Sequence, residues 1–593
     1  MSKLGSKLEK KKVLLYSAIL SLMLGSNGFA IAEDLPTSVS TGSELKSAIE
    51  KASNTAKIKF EKDVDISSLD RINVGAKTIE IDGDGKSLIN AKDSRFIFSN
   101  GSNLTLKNMK YTGKNSSINV DNANTTISLE NVDISGRTTS AVPNGPVLFL
   151  IEGCDATLNN VSVSSSRVNI QNNSINGGAI NIQTAKSKGT IKNLIDNQIT
   201  SAGNVSGGVI YNRRTPNPVG ELNLDGNVNK NQITANVNVF GGILNNENSS
   251  IQSINWNDVT GNNITATNNS VTGGFIQNKL GTIDKLHINS FSGNTINSNL
   301  KIDGGLIYNE GGTINGKLEI GQIIGNTINA KTDYNGLITN ISGNINSISI
   351  DSVSDNNISM NFMRGGVINL QGASVNDITI GKVNNNTIMG GENSTSTGFV
   401  LYLRESPKDS TIASNIGNLT VGQIHGNTIT ATNITSLLLR SALVPVENAT
   451  VISKNGNVTV DKISDNTLTA VDCNDNARGG IIYNFLHGGI KTTNTTVSLG
   501  DINLEHVYNN RLESTISTST SGETRALSGR HASGTIIANS IQSCQGNAII
   551  KSINGEYVGN SLISDSKIMD ASGGVISNSV NGQGNAFVGI GYT

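Results

Sequence analysis

The sequence predicts an all-β fold, a single-stranded right-handed parallel β-helix (a solenoid) with a short N-terminal capping helix. Three observations carry this. A double-glycine motif recurs about every 31 residues between Gly177 and Thr397. A second motif lies between its copies, and when aligned it stacks apolar residues in columns two apart. Proline, which cannot join a central strand ladder, occurs only 7 times in 593 residues. Self-similarity at such a period marks a repeat architecture, and period-two alternation marks strands.

The chain opens with an export pattern. Lys3, Lys7, Lys10, Lys11 and Lys12 precede an apolar run at 13–24 (VLLYSAILSLML). That run suits a signal-peptide core and is short for a bilayer span. Ala30-Ile31-Ala32 supplies the small-x-small cleavage pattern, so the expected signal peptide is 1–32 and Glu33 opens the mature chain. No transmembrane segment is expected in that mature chain. The three cysteines, Cys154, Cys473 and Cys544, are odd in number and far apart, which argues against a disulfide framework.

Residues 33–56 are expected to form an N-terminal cap. Within it, 43–53 (SELKSAIEKAS) reads as an amphipathic helix with Leu45, Ile49 and Ala52 on one face. A helix here would cover the first coil, whose strand edges are otherwise unpaired. Short alternating runs follow at 57–60, 64–66, 78–81, 95–98, 104–106 and 126–129. They assign 57–176 to irregular β-helix coils.

From 177 to 593 the repeats become regular. The double-glycine motif appears as GGAIN at Gly177, then at Gly207, Gly241, Gly273, Gly304, Gly365, Gly479 and Gly573, with a variant at Asn335. Degenerate copies stand at Thr397, Thr435 and Ser533. The second motif (LHINSFSGNTI, LEIGQIIGNTI, ISIDSVSDNNI and others) aligns four apolar columns. They begin at Ile254, Trp256, Val259 and Ile264, and end at Ile502, Leu504, Val507 and Leu512. The step of three between the second and third columns predicts a corner where one strand ends and another begins. An asparagine column follows: Asn262, Asn294, Asn326, Asn356, Asn386, Asn427, Asn466 and Asn510. The residue before each is Gly, Asp or Asn, types that tolerate positive φ. Each repeat is therefore expected to be a coil of about three strands, stacked at ~4.8 Å on its neighbours. About 16 coils would give a rod of roughly 75 Å. A propeller blade would need a longer repeat and a Trp-Asp signature, which are absent.

Composition excludes other classes. Lys+Arg number 45 against 46 Asp+Glu, so there is no basic excess for a nucleic-acid partner. Heptads for a coiled coil and the every-third glycine of collagen are missing. The 36% hydrophobic content, placed at regular positions, argues against disorder. Asparagine is abundant, with 84 residues, so the frequent Asn-x-Ser/Thr triplets follow from composition.

Two family resemblances fit this reading. IEIDGDGKSLIN (79–90) and FSNGSNLTLKNMKYTG (98–113) resemble the N-terminal part of pectate-lyase-like β-helices. The later repeats resemble bacterial polymorphic outer-membrane proteins and autotransporter passengers, through GGAI at Gly177–Ile180 and FxxN at Phe291–Asn294. The second resemblance implies an exported passenger at the cell surface. Such proteins continue into a membrane barrel, whereas here the repeats run to Gly573-Gly574. The expectation is a truncated reading frame or another anchoring route.

No catalytic, cofactor-binding or metal constellation stands out. Asp351 and Asp355 share one coil, and Asp461 and Asp465 share another about three coils away. That separation is too wide for an acid/base pair. The DGDG run at 82–85 reads as a turn, and the five histidines are dispersed. Threonine does not hold the paired columns of an ice-binding face. One feature points to recognition. The segment after the double-glycine strand roughly doubles in three consecutive coils, at 403–418, 441–457 and 485–501. Equivalent insertions on successive coils emerge on one side and form a candidate binding lobe. It carries Arg404, Glu405, Lys408, Asp409, Glu447, Lys454, His487 and Lys491. The loop at 513–532 is expected to join that surface.

The functional expectation is an exported cell-surface β-helix protein, a passenger-like adhesive or structural stalk without catalysis or cofactors. It would sit at the outer membrane or outside the cell and bind a surface ligand, a glycan or a host protein. The alternative is a secreted polysaccharide lyase or hydrolase on the same scaffold.

Overall fold

A computed structural model of the chain describes residues 36–90, 96–99, 101–113, 125–138, 149–152, 155–171, 173–183, 186–213, 221–405, 415–443, 452–471, 480–487, 495–515, 531–558, 560–564 and 570–590. The export segment at 1–32, Cys154 and Cys473 lie outside these residues.

The helix spans Gly42–Lys51. Thr41 caps it: its Oγ1 accepts from the Glu44 N–H at 3.2 Å, and Glu44 Oε2 accepts from the N–H groups of Ser40 and Thr41. At the other end Lys77 Nζ donates to the carbonyls of Ile49 and Glu50, at 3.0 and 2.9 Å, where the helix dipole is negative. Leu45 and Ile49 are fully buried. The helix packs against strands Thr37–Val39, Thr55–Phe60 and Ile72–Gly75 at the start of the stack.

From there the chain winds as a right-handed parallel β-helix. Every named strand pairing is parallel, from Thr37↔Ile58 to Ile553↔Ile590. One coil shows the plan: Asn263–Ala266, Val271–Thr272, Ile276–Lys279 and Thr282–Ser292. Each of these strands pairs with its counterpart one coil on. The coil thus has four strands, not three. The step of three between the second and third apolar columns is no corner either. Trp256 and Val259 lie on one continuous strand, Ser250–Thr260, with Asn257 and Asp258 both facing outward between them. Two successive outward residues bend a strand without ending its pairing.

All four columns stack in register. Ile254 pairs with Leu286, Leu286 with Leu318, and so on to Val458 with Ile502. The fourth column runs from Ile264↔Ile296 to Leu468↔Leu512. These side chains line one long core in which Trp256, Phe291 and Tyr334 are fully buried. Phe275 meets Phe291 edge-on, with ring centres 4.7 Å apart.

Two corners hold the coil in shape. At the first, the residue before each column asparagine has positive φ: Gly261 (62°), Gly325 (64°), Asp355 (56°) and Asn385 (56°) among them. The buried asparagine that follows links coil to coil. Asn262 donates from Nδ2 to Asn294 Oδ1 at 2.9 Å and to the Val228 carbonyl at 2.7 Å. Asn294 Oδ1 also accepts the Asn262 backbone N–H at 3.0 Å. The same links join Asn197, Asn231, Asn262, Asn294, Asn326, Asn356, Asn386, Asn427, Asn466, Asn510 and Asn560. The second corner is the double glycine. Gly241 has φ 58°, and a Cβ there would lie 2.1 Å from the Leu244 carbonyl oxygen. No other residue fits.

A third turn, between the double-glycine strand and the long strand, holds a shorter ladder. Asn212, Asn246, Asn278, Asn309 and Asn340 hydrogen-bond in succession at 2.7–2.9 Å. Its tight-turn residues have positive φ: Asn248, Leu280, Gly311, Ser342 and Gly372. Leu280 is the misfit, left-handed at 53° and 58% exposed.

Two stability predictions follow from these corners. Asn326→Ala strips the acceptor from two Asn294 donors and leaves the Phe291 carbonyl unpaired. It should cost about 3 kcal/mol, read as faster hydrogen exchange in the flanking coils. Leu280→Gly should stabilise the protein by up to about 1 kcal/mol in thermal unfolding, because it relieves the left-handed backbone.

Candidate functional site

The insertions leave and rejoin the helix in register. Their outgoing strands are Leu401–Glu405, Leu439–Leu443 and Ile482–His487. Glu405 pairs with Leu443, and Leu443 with Leu486. On the return side Asn415 pairs with Lys454, and Lys454 with Ser498. Each insertion therefore starts and ends directly above the previous one. In the preceding coils the same turn is tight, between Ile341 and Asn344 and between Gln371 and Ser374. The short asparagine ladder ends one coil short of the insertions: Asn340 is followed in register by Leu370, whose turn is still tight, then by Leu403, Ser441 and Asn484 on the three insertion-bearing coils.

Of the candidate residues, Arg404 is half-buried on its strand, in register with Gln371 and Ala442. Glu405 ends the same strand. Lys454 is exposed at the return foot, and His487 ends its strand opposite Gln542. Lys408, Asp409, Glu447 and Lys491 lie outside the described residues. The loop at 513–532 does not join this surface at its base. It leaves from Thr515, which pairs with Val471 on the strand after the asparagine corner, a different corner of the coil.

Two features escaped the sequence reading. Arg440 lies between Tyr402 and Tyr483, its guanidinium 5.6 and 5.7 Å from the two ring centres. These three residues occupy one register position on the three coils that bear the insertions. The signal was the second residue of each strand after the glycine corner, a column whose type varies too much to stand out. Near the N-terminus, Glu80 and Asp82 share a coil with Lys107 on the next, at 2.7 and 3.7 Å. Lys59, Asp82, Lys107 and Glu130 stack in one column of alternating sign. The Glu80 hydrogen bond holds the Lys107 ammonium above its ordinary pKa. The DGDG run is a turn, with Asp84 and Gly85 both at positive φ. Asp84 is held below the usual carboxylate range by Lys86 and Lys59.

The carboxylate pairs stand apart. Asp351, Gly381, Gly422 and Asp461 follow one register position, so the two Asp residues are three coils from each other. His425 meets Asp465 at 3.1 Å and Ser464 Oγ at 3.0 Å on the outer surface. Among the described residues no three His, Cys, Asp or Glu side chains gather as metal ligands, and no helix is long and apolar enough to cross a membrane.

No family model matches the chain, and no curated protein matches it. One solved structure, described as that of a PL6 family alginate lyase, AlyGC, aligns over 93% of this chain and 100% of its own at 10% identity. Its TM-score is 0.18, and at that score the likeness carries no argument about fold or chemistry.

Burial raises the Asp133 carboxyl above its ordinary pKa, against two contacts with Ser164 Oγ at 2.8 Å and the Lys110 charge. Its folded pKa exceeds the unfolded one, so its stabilising share is present in acid and is lost as pH rises through the raised value. Asp133→Asn should therefore raise the melting temperature at neutral pH and change it little in acid.

Proposed function

We propose that this chain is an exported cell-surface protein, a stiff non-catalytic β-helix stalk with an adhesive lobe on one side. The observation that carries this reading is the register of the three insertions at both of their feet. Three loops rooted one above another on a rigid stack form one surface, and a solenoid commonly carries recognition on such loops. The segments hold Arg404, Glu405, Lys408, Asp409, Glu447, Lys454, His487 and Lys491 in a chain that is only 15% charged. The ligand class that fits is a polar surface, a glycan or a host protein. The lysine-rich start and the apolar run at 13–24 support export. The rod supports a spacer: its long-strand position recurs on seventeen rungs from Thr55–Phe60 to Asp570–Ile590, about 75 Å at ~4.8 Å per rung.

A secreted polysaccharide lyase or hydrolase is the second reading, favoured by the Glu80, Asp82 and Lys107 cluster bridging adjacent coils. The alternation of sign in that cluster weighs against it. Each charge faces its opposite one coil on, and a lysine held protonated by Glu80 is a poor base near neutral pH.

The test is to express the full-length protein, fractionate the cells and treat intact cells with protease. Surface-exposed, protease-sensitive protein is expected. A variant with tight turns in place of 406–414, 444–451 and 488–494 should keep the β-sheet circular dichroism and lose binding to a glycan array or host cells. Periplasmic retention, or cleavage of an acidic polysaccharide that Glu80→Gln abolishes, would overturn the proposal.

A further inference from the structure

Midway along the rod, a buried aspartate on one coil contacts both a lysine of its own coil and a buried asparagine of the next. Lys301 Nζ lies 2.7 Å from Asp303 Oδ2. Asp303 Oδ1 accepts a hydrogen bond from Asn335 Nδ2. The three residues come together because Lys301 stands two residues before Asp303, just ahead of the strand Ile302–Asp303, while Asn335 is in register with Asp303 on the next coil. Asp303 is 6% exposed and Asn335 7%, whereas the Lys301 side chain reaches the surface. Asn335 Oδ1 is buried without a hydrogen-bond partner. Exchanging the amide N and O would set that oxygen against a carboxylate, so the orientation is dictated.

We propose that Lys301 and Asn335 join in a covalent amide cross-link between these coils, with Asp303 as the proton carrier. Asp303 takes a proton from the Lys301 ammonium. The freed Nζ attacks Cγ of Asn335, and an Nζ–Cγ bond forms. Asp303 passes its proton to Nδ2, the Cγ–Nδ2 bond breaks, and nitrogen leaves as ammonia, which carries off the remaining proton as ammonium. An ammonium and a primary amide become a secondary amide and an ammonium ion, with no change in oxidation state and no further reactant.

The constellation supplies what this reaction lacks in open solution. One carboxylate grips both reactants, and well-oriented intramolecular partners gain effective molarities of order 10⁵–10⁸ M. The site is walled. Thr339, fully buried, donates to the Asn335 backbone carbonyl, and Tyr308, 8% exposed, lies close enough to Asp303 to feel its charge. The position also departs from its neighbours. The residues at the Lys301 register in the three coils before it are Asn204, Asn238 and Ser270, and those at the Asp303 register are Ser206, Phe240 and Thr272. Lysine and carboxylate arrive together, one coil before the asparagine they address.

Mass spectrometry of the denatured, trypsin-digested full-length protein tests this. The expected product is a branched peptide uniting the Lys301 and Asn335 segments, lighter by one ammonia than their sum and uncut after Lys301. Lys301→Arg keeps the ion pair without the nucleophile, and Asp303→Asn keeps the shape without the acid. Both should fold with unchanged circular dichroism and lose the branch completely. Linear peptides of unaltered mass in the wild type would overturn the proposal. So would ammonia loss confined to an unbranched Asn335-Gly336 peptide, where the Gly336 nitrogen attacks instead. A branch that survives Asp303→Asn would remove Asp303 from the chemistry.

Discussion

Everything in this rod depends on each coil returning to the same point above the last. A parallel stack hydrogen-bonds only along its axis, so a small error in one coil's circumference would displace every strand after it. The asparagine ladder removes that freedom. At each corner one buried side chain accepts two donors from the preceding coil and donates both onward and back. The amide is fully used, and such buried polar groups fix geometry because any alternative leaves a donor or acceptor unpaired. The residue before each asparagine bears the backbone cost, which explains the preference for Gly, Asp or Asn there, with Lys230 before Asn231 the exception.

Glycine performs the complementary task at the opposite corner. In the double-glycine turn the chain of one coil passes so close to the next that a Cβ has no room. At Gly208 it would lie 2.2 Å from the Gly242 carbonyl oxygen. The turn after the double-glycine strand is held by a short asparagine ladder as far as Asn340 and opened by insertions after Leu403. Length also varies between the strand that follows the asparagine corner and the next double-glycine strand, from Val471 to Ile482 and from Thr515 to His531. The asparagine and double-glycine corners keep the stack in register across both kinds of insertion.

This economy bears on function. A stack whose core is apolar columns and whose corners are amides and glycines has little chemistry on its long faces. Beside scattered charges on the long strands, such as Lys317 and Glu319, charge gathers on the insertions, in the alternating column at Lys59, Asp82, Lys107 and Glu130, and at the Lys301–Asp303–Asn335 meeting point. The first suits recognition. The second neutralises itself from coil to coil. The third holds two reactive groups on one carboxylate, and a covalent tie there would lock adjacent coils against unwinding in a molecule that works as a spacer.

The sequence by itself determined the parallel β-helix, the identity of all four apolar columns, the asparagine column and the position of the insertions. It could do so because each is repeated, and repetition turns a weak local preference into an alignment. It also placed the capping helix, through the apolar face of Leu45, Ile49 and Ala52; the structure added the Thr41–Glu44 box that starts it. Only the tertiary structure decided that the step of three at Trp256–Val259 is a bend within one strand, since a corner and a bulge leave the same spacing. It alone separated the loop after Thr515 from the insertion feet, and it alone brought Arg440 between two tyrosines and Lys301 and Asn335 to the same carboxylate. These partners are a whole coil apart in the chain and occur once each, so no repeat advertises them. Their meeting depends on register, and register is a property of the stack as a whole.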